Sequence, residues 1–154
     1  MKIKLISVGS KAPGWVRTGY EEYARRMPRE ATLHLVEIPA PKHQGDAGRY
    51  ISREGDKMLA QIDRADWVVA LDERGRAVSS EQLAGKMDNW RMQGHDVAVC
   101  VGGADGLAPA ILERADETLS LSALTFPHYL VRVIVAEALY RAWSISAGHP
   151  YHRD

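Results

Sequence analysis

The 154-residue sequence contains a single cysteine, Cys100, so no disulfide bond can form within the chain. It also lacks an uninterrupted apolar stretch of the ~20 residues that a membrane-spanning helix needs. The longest candidate, residues 130–145, is interrupted by three charged side chains. The amino terminus is too short and too charged for the core of a secretory signal. These absences predict a cytoplasmic protein in which Cys100, within the apolar run 96–101, is a buried strand thiol.

The sequence has no net charge, with 20 basic and 20 acidic residues, which excludes an argument for polyanion binding from overall charge. The charges are unevenly distributed, however. Residues 1–53 hold ten basic against five acidic side chains, and residues 54–154 hold ten against fifteen. This asymmetry is compatible with a basic face for nucleic acid. On charge alone, an ordinary solvated surface is the better interpretation.

Internal repeats and low-complexity segments are absent, and short apolar strands alternate with helical patterns along the whole chain. The predicted strands are residues 3–8, 33–38, 67–71, 96–101 and 118–121. The predicted helices are residues 13–27, 49–63, 79–90 (with a Ser79–Gln82 capping box), 108–115 and 127–146, and residues 41–48 and 72–75 are a polar loop and a turn. This alternation predicts one α/β domain over residues 1–154, a mostly parallel sheet with helices on both faces.

Ligands of such sheets bind beyond the carboxyl ends of the strands, and three predicted strand ends hold informative residues. One strand ends at Leu71, another at Gly102-Gly103, and the last leads into residues 121–128. The paired glycines allow either close approach of a ligand to the backbone or a plain tight turn. The apolar segment 121–126 could form a wall for an adenine. His128 would lie in a first helical turn, where the positive end of the helix dipole disfavours its protonation, and a structural role for it is equally compatible.

The last predicted helix has almost no polar face, which is typical of a helix buried in a core or at an oligomer interface. In a chain of this length, a helix buried on all sides favours a dimer. Arg132, Glu137 and Arg141 on this helix must find partners, because unpaired buried charge is costly. Glu137 and Arg141 are four residues apart and could pair with each other.

The terminal segment concentrates two histidines, a tyrosine and an arginine (His149, Tyr151, His152 and Arg153). Together these side chains can stack on a base, bind phosphate and exchange a proton. A disordered tail is an equally fair interpretation of the composition. Two histidines without neighbouring cysteines or clear supporting carboxylates make a poor metal site, so no metal is expected.

Several of these segments carry a family resemblance over essentially the whole chain. They are residues 2–9 followed by Trp15, the loop 102–107, LSALTFPH at 121–128, Val131-Arg132-Val133, Ala136-Glu137, LYRA at 139–142 and HPYHR at 149–153. The sequence resembles the ribosomal large-subunit methyltransferase H family, which belongs to the knotted SPOUT superfamily. The segments in the last third are the most specific part of the resemblance.

The resemblance implies a homodimer with a carboxyl-terminal trefoil knot that uses S-adenosylmethionine to methylate N3 of a pseudouridine. The substrate would lie in helix 69 of 23S rRNA, within the assembled 70S ribosome. Carried over residue by residue, the resemblance implies a cofactor site formed by Leu71, Gly103, Leu121, Ser122, Ala123, Leu124, Thr125 and Phe126.

Methyl transfer to a uridine-type N3 requires loss of its proton and in-line alignment of donor and acceptor. We hypothesise that the tail of a second subunit completes the site, with His152 as proton acceptor, Tyr151 stacking and Arg153 holding phosphate. His128 would orient the site, as would Glu137 and Arg141. The basic residues that could contact the rRNA backbone are Lys11, Arg17, Arg25, Arg26 and Arg29.

Two alternatives of other classes remain at this point. One is a non-catalytic ribosome-binding factor with the same fold. The other is a flavodoxin-like or nucleotide-binding module, which the α/β alternation alone would allow but which leaves the tail and the apolar helix unexplained.

Overall fold

A computed structural model describes residues 1–40 and 47–153 of the chain. The elements, in chain order, are β1 (Lys2–Val8), α1 (Gly14–Ala24), β2 (Thr32–Ile38), α2 (Ala47–Leu59), β3 (Trp67–Ala77), α3 (Ser80–Met92), β4 (Val97–Val101), α4 (Pro109–Arg114), β5 (Glu117–Ser120) and α5 (His128–Ala147). Strands and helices alternate throughout, as the sequence pattern predicts.

The five strands form one sheet in the order β2-β1-β4-β3-β5, and every paired neighbour is parallel. All five residues of the central strand β4 are buried, because helices cover both faces of the sheet. The prediction of a parallel α/β sheet is therefore confirmed. The carboxyl ends of β1, β3, β4 and β5 lie along the same edge. This pairing does not describe how the chain is threaded, so the knot stays a prediction.

Two apolar layers enclose the sheet. Ile3 and Leu5 of β1 join the cluster with α1, α3 and α5, whereas Ile6 and Val8 join the cluster with α2 and α4. The two-residue period of a strand directs the side chains to these opposite layers. Cys100 is fully buried in the second layer, as predicted, and this burial raises the pKa of its thiol to about 12.

The predicted turn at residues 72–75 is wrong. β3 continues to Ala77 and is interrupted by a register shift, in which both Leu71 and Arg76 pair with Leu119 of β5. A β-carbon on Gly75 would lie 2.8 Å from the backbone carbon of Leu119. The glycine that suggested a turn is therefore needed for close approach to the neighbouring strand.

Helix boundaries also differ from the prediction. α1 ends at Ala24, three residues early, because the amides of Arg26 and Met27 make the tighter i→i−3 hydrogen bonds, to Tyr23 and Ala24. α2 begins at Ala47, so Gly48 is helical rather than part of the predicted polar loop, and it ends at Leu59 rather than at residue 63. Residues 41–46 of that loop lie outside the described residues. The capping box at Ser79 and Gln82 is confirmed.

α5 packs between α1 and α3, but it is not buried on all sides within one chain. Its buried residues are Arg132, Val135, Ala136, Leu139, Tyr140, Ala142 and Ser144. Other apolar residues of this helix, including Ile134 and Ile145 on one face, are only half-buried, so that side of α5 is partly open. In residues 1–40 and 47–153, no helix is both long and apolar enough to cross a membrane.

Candidate functional site

A cavity of about 510 Å³ opens at the carboxyl ends of β3, β4 and β5. Its apolar wall is formed by Leu71, Val101, Leu107, Leu121, Leu124, Phe126 and Val131. The polar groups in the lining come from Asp72, Glu73, Arg74, Asp105, Ser122, Thr125 and His128. The location agrees with the rule for parallel sheets. A concave pocket that combines an apolar wall with convergent polar groups is compatible with a small-molecule site.

The glycine loop after β4 forms one side of the cavity, and it closes on itself. The amide of Gly106 donates a hydrogen bond of 3.1 Å to the carbonyl of Gly103. A β-carbon on Gly102 would lie 2.8 Å from the amide nitrogen of Leu107 and closer still to the backbone of Gly106. The first glycine is thus required by the tight turn, which was one of the two interpretations of the sequence. The turn nevertheless lines the cavity.

Side chains of α2 contact this glycine loop. The hydroxyl of Tyr50 donates a hydrogen bond to the carboxylate of Asp105, and the buried Glu54 lies beside Gly103. Val8 of β1 lies beside the same glycine, since an added β-carbon there would be 3.3 Å from its side chain. The loop therefore packs against both α2 and β1.

The loop after β5 forms the opposite side. Ser120 donates a hydrogen bond of 3.0 Å to the carbonyl of Ser122, whose side chain accepts one of 3.0 Å from the amide of Leu124. Thr125 donates one of 3.1 Å to the carboxylate of Glu73, which joins this loop to β3 across the cavity. These local bonds give an otherwise irregular segment a defined shape.

Acidic groups are prominent in the cavity lining. Asp72, Glu73 and Asp105 carry carboxylates there, against the single guanidinium of Arg74. Hydrogen bonds from Arg74, within 3.2 Å, lower the pKa of Asp72 below its ordinary value. The side chain of Arg74 is mostly exposed beyond this contact. A ligand that carries positive charge is thus electrostatically compatible with the cavity.

His128 is the first residue of α5 and lines the cavity. Partial burial, and then the positive charge of Arg132 one turn later, lower the pKa of His128 below its ordinary value. The direction agrees with the sequence-based expectation, but these two causes differ from the helix dipole that motivated it. The imidazole is therefore neutral at pH 7 and can either donate or accept a hydrogen bond.

The terminal segment is ordered against α5 of its own chain. The hydroxyl of Tyr151 donates a 3.0 Å hydrogen bond to Glu137, and Arg141 lies over the Tyr151 ring at 4.9 Å. His152 contacts Arg141 at 3.1 Å and Glu81 of α3 at 3.3 Å. Burial, with hydrogen bonds to Tyr23 and Glu137, raises the pKa of Tyr151. The predicted pairing of Glu137 with Arg141 is confirmed at 2.7 Å.

This arrangement separates the tail from the cavity of the same chain. Glu137 follows His128 by nine residues, and the rise of ~1.5 Å per helical residue makes that about 13 Å along the helix axis. None of the described tail residues, 149–153, belongs to the cavity lining. The sequence-predicted residues therefore form two groups within one chain, one at the first turn of α5 and one against its middle and second half.

The cavity includes most of the residues that the resemblance assigned to a cofactor. Leu71, Gly103, Leu121, Ser122, Leu124, Thr125 and Phe126 line it, whereas Ala123 is exposed and does not. The residues that the sequence interpretation did not assign are chiefly Glu73, Arg74 and Asp105. Glu73 and Arg74 were missed because residues 72–75 were interpreted as a turn that leaves the sheet. Asp105 could have been found, since it lies in the glycine loop that follows a predicted strand.

The basic residues of the first third are exposed, but two are engaged locally. Arg25 and Arg26 both pair with Glu22, and Arg26 also lies over the rings of Tyr23 and Tyr140. Lys11, Arg17 and Arg29 are exposed. The last three are therefore the better candidates for contacts with an anionic partner.

Comparisons with known proteins give consistent results. A family described as "Predicted SPOUT methyltransferase" matches residues 1–152. The ribosomal RNA large subunit methyltransferase H of Hahella chejuensis is 53% identical over 156 residues, covering 100% of both chains. Methylase family proteins of Haemophilus influenzae and Neisseria gonorrhoeae share the fold with TM-scores of 0.57 and 0.53, at 16% and 12% identity. The alignments cover 99% and 90% of this chain, and 70% and 81% of those chains. The chain belongs to the SPOUT methyltransferase family.

Proposed function

We propose that this protein methylates ribosomal RNA with S-adenosylmethionine as the methyl donor. The name of its 53% identical, full-length relative supports the rRNA substrate, and the family supports the donor. The finer proposal is that the acceptor is N3 of a pseudouridine in helix 69 of 23S rRNA, within the assembled 70S ribosome. The resemblance of residues 121–128 and 149–153 to the methyltransferase H family supports it.

The cavity fits the proposed donor in size and in chemistry, and this fit carries the proposal. Its volume of about 510 Å³ lies within the range of ~300–1,000 Å³ usual for ligand sites. The apolar wall suits an adenine ring, and the strand-end loops offer backbone polar groups to it. Asp72, Glu73 and Asp105 suit the sulfonium and ammonium charges of such a donor. When bound, the donor supplies an electrophilic methyl group.

The residues of this chain would act mainly by positioning. The loop 121–126 and the glycine loop would hold the donor, and His128 would face the acceptor from the first turn of α5. Correct alignment of the reacting atoms can contribute up to about 7–11 kcal/mol in ideal cases. The N3 proton needs an acceptor, and we assign that role to His152, with Tyr151 stacking on a base and Arg153 binding phosphate.

We further propose that His152 and its neighbours act on the cavity of a second copy of the chain. The separation of about 13 Å along α5 between Glu137, which anchors the tail, and His128 supports an arrangement between two chains. The partly open side of α5 supports it as well, because half-buried apolar residues such as Ile134 and Ile145 suit a homodimer contact.

The decisive test of the function is mass spectrometry of 23S rRNA from cells that lack the gene, with and without complementation. Loss of the N3 methyl group from one helix 69 pseudouridine, and its return on complementation, is expected. Methylation of purified 70S ribosomes, compared with free 23S rRNA, then tests the assembled substrate. Unchanged rRNA methylation, together with tight ribosome binding and no donor binding, would instead identify a non-catalytic binding factor.

The two-chain site can be tested by mixing inactive variants. A chain truncated after Gly148 lacks the tail, and His128→Ala alters the cavity; each alone should have little activity. Mixed dimers should regain activity, because one of their two sites has an intact cavity and an intact tail. If the truncated chain alone methylates ribosomes at the wild-type rate, the composite site is excluded.

A further inference from the structure

Arg132 is the largest fully buried side chain among the described residues, with 1% of its surface exposed. A buried charge is costly unless it is paired and hydrogen-bonded. Its Nη1 donates a 2.9 Å hydrogen bond to the carboxylate of Glu37, and Nε donates one of 3.2 Å to the hydroxyl of Ser7. Nη2 donates to the carbonyls of Val8 and Gly9, at 3.3 and 2.5 Å. The guanidinium is thus engaged on all three nitrogens.

These contacts join the first turns of α5 to the carboxyl ends of β1 and β2. The guanidinium also lies over the ring of Tyr129 at 4.9 Å, and the Tyr129 hydroxyl accepts a hydrogen bond of 3.2 Å from the amide of Lys11. Gly9, at φ +109°, packs against the same ring, where a β-carbon would lie 2.5 Å from the hydroxyl. The start of α5 is therefore fixed tightly to the loop after β1.

The same turn of α5 carries His128, which stacks beside Tyr129 with 4.3 Å between ring centroids. His128 and Val131 both line the cavity, on either side of this anchored turn. Val8, whose carbonyl accepts from Arg132, has its side chain beside Gly103 of the glycine loop. One guanidinium thus links the turn that carries His128 to the ends of β1 and β2.

A guanidinium suits this position better than other cations. Its planar fork can donate in several fixed directions and stack on an aromatic ring at the same time. A lysine ammonium could keep the charge, but it could not reach the two carbonyls, the hydroxyl and the carboxylate together. The substitution Arg132→Lys therefore keeps the positive charge but loses the fixed hydrogen-bond geometry, so it tests the two contributions separately.

We propose that Arg132 is a positioning residue for methyl transfer, which holds the first turn of α5, and with it His128, in register with the cofactor cavity. This role rests on the proposed function. Arg132 touches neither donor nor acceptor and acts through His128 and the loop after β1. Its loss should therefore lower turnover more than donor binding.

The experiment compares Arg132→Lys and Arg132→Met with Asp66→Asn as a control. Asp66 is also buried and pairs with Lys4 at 2.7 Å, but it lies at the amino end of the sheet, away from the cavity. All three variants should lower thermal stability. Because a displacement of about 1 Å can reduce a rate by about 10²-fold, both Arg132 variants should reduce kcat on ribosomes by about that factor. Donor KM should change less than threefold, and Asp66→Asn should keep wild-type kcat below its melting temperature.

A second readout does not depend on rRNA activity. NMR titration of the His128 imidazole should show a higher pKa in Arg132→Met than in the wild type, because the neighbouring positive charge is lost. The other charged groups of the cavity lining stay the same in these variants, so a change in the His128 pKa reports on Arg132. They are Asp72, Glu73, Arg74 and Asp105. A raised His128 pKa together with an inactive wild-type enzyme would refute the proposed function while keeping the electrostatic effect of Arg132 on His128.

If the Arg132 variants do not fold, Glu37→Gln and Ser7→Ala remove one partner each and should reduce kcat in the same direction, by several fold. The positioning role is overturned if every folded variant keeps kcat within threefold of wild type. It is also overturned if Arg132→Lys restores full turnover, since charge alone would then suffice.

Discussion

Gly102→Ala is the substitution for which the structure makes the clearest prediction about the cavity. The added β-carbon would lie 2.8 Å from the amide nitrogen of Leu107 and closer to the backbone of Gly106, although ordinary contact begins at 3.4 Å. To reach ordinary contact, the backbone of Gly102 and that of residues 106–107 must therefore separate by at least 0.6 Å. Overpacking of this kind typically costs about 1–3 kcal/mol of stability.

The displaced loop lines the cavity, so donor binding should suffer as well. We expect S-adenosylmethionine to bind at least tenfold more weakly, which corresponds to about 1.4 kcal/mol. Isothermal titration calorimetry measures the affinity, and urea denaturation measures the stability. Gly85→Ala is the matched control, because nothing lies within 4 Å of its added β-carbon on α3.

The control should keep wild-type donor affinity and gain roughly 0.5–1 kcal/mol of stability, since alanine is the better helix residue. If Gly102→Ala kept wild-type affinity and stability, the turn after β4 would have room for a β-carbon, and the prediction would be refuted. A loss of stability without a loss of affinity would refute the link between this turn and the donor.

Three further predictions address other parts of the molecule. Ser79→Ala removes the capping box of α3 and should cost about 1 kcal/mol in urea denaturation while donor affinity is kept; an unchanged midpoint would contradict it. Charge reversal at Lys11 and Arg17 should weaken ribosome binding and reduce its salt dependence without affecting donor binding, and equal loss of both would count against an rRNA contact. Because burial raises the pKa of Cys100 to about 12, iodoacetamide at pH 8 should label it only after unfolding, and rapid labelling of the native protein would disprove its burial.

Local patterns were sufficient for most of the fold. The apolar run of β4 is buried on both faces, and the Ser79–Gln82 box begins α3 as predicted. The strand β3 was predicted too short, because Gly75 was interpreted as a turn. Its absent side chain in fact permits contact with Leu119 of β5, and that neighbour is distant in sequence.

Part of the candidate site could also be predicted from local patterns, and part could not. The strand ends at Leu71 and Gly102-Gly103, and the loop 121–126, could be placed at one edge of the sheet, since parallel strands align their carboxyl ends. The position of the tail could not, because it depends on Tyr151 and His152 meeting Glu137, Arg141 and Glu81. A spacing pattern carries no information about such contacts.

By itself, the sequence determined the parallel α/β architecture, the edge of the sheet that holds the cavity, and the need of Arg132 for partners. These follow from periodicity and from the cost of burying charge, which are local properties of the chain. Only the tertiary structure decided that Ser7, Glu37 and the carbonyls after β1 are those partners. The physical reason is that they lie more than 90 residues away in sequence and meet Arg132 only when β1 and β2 pack beneath α5.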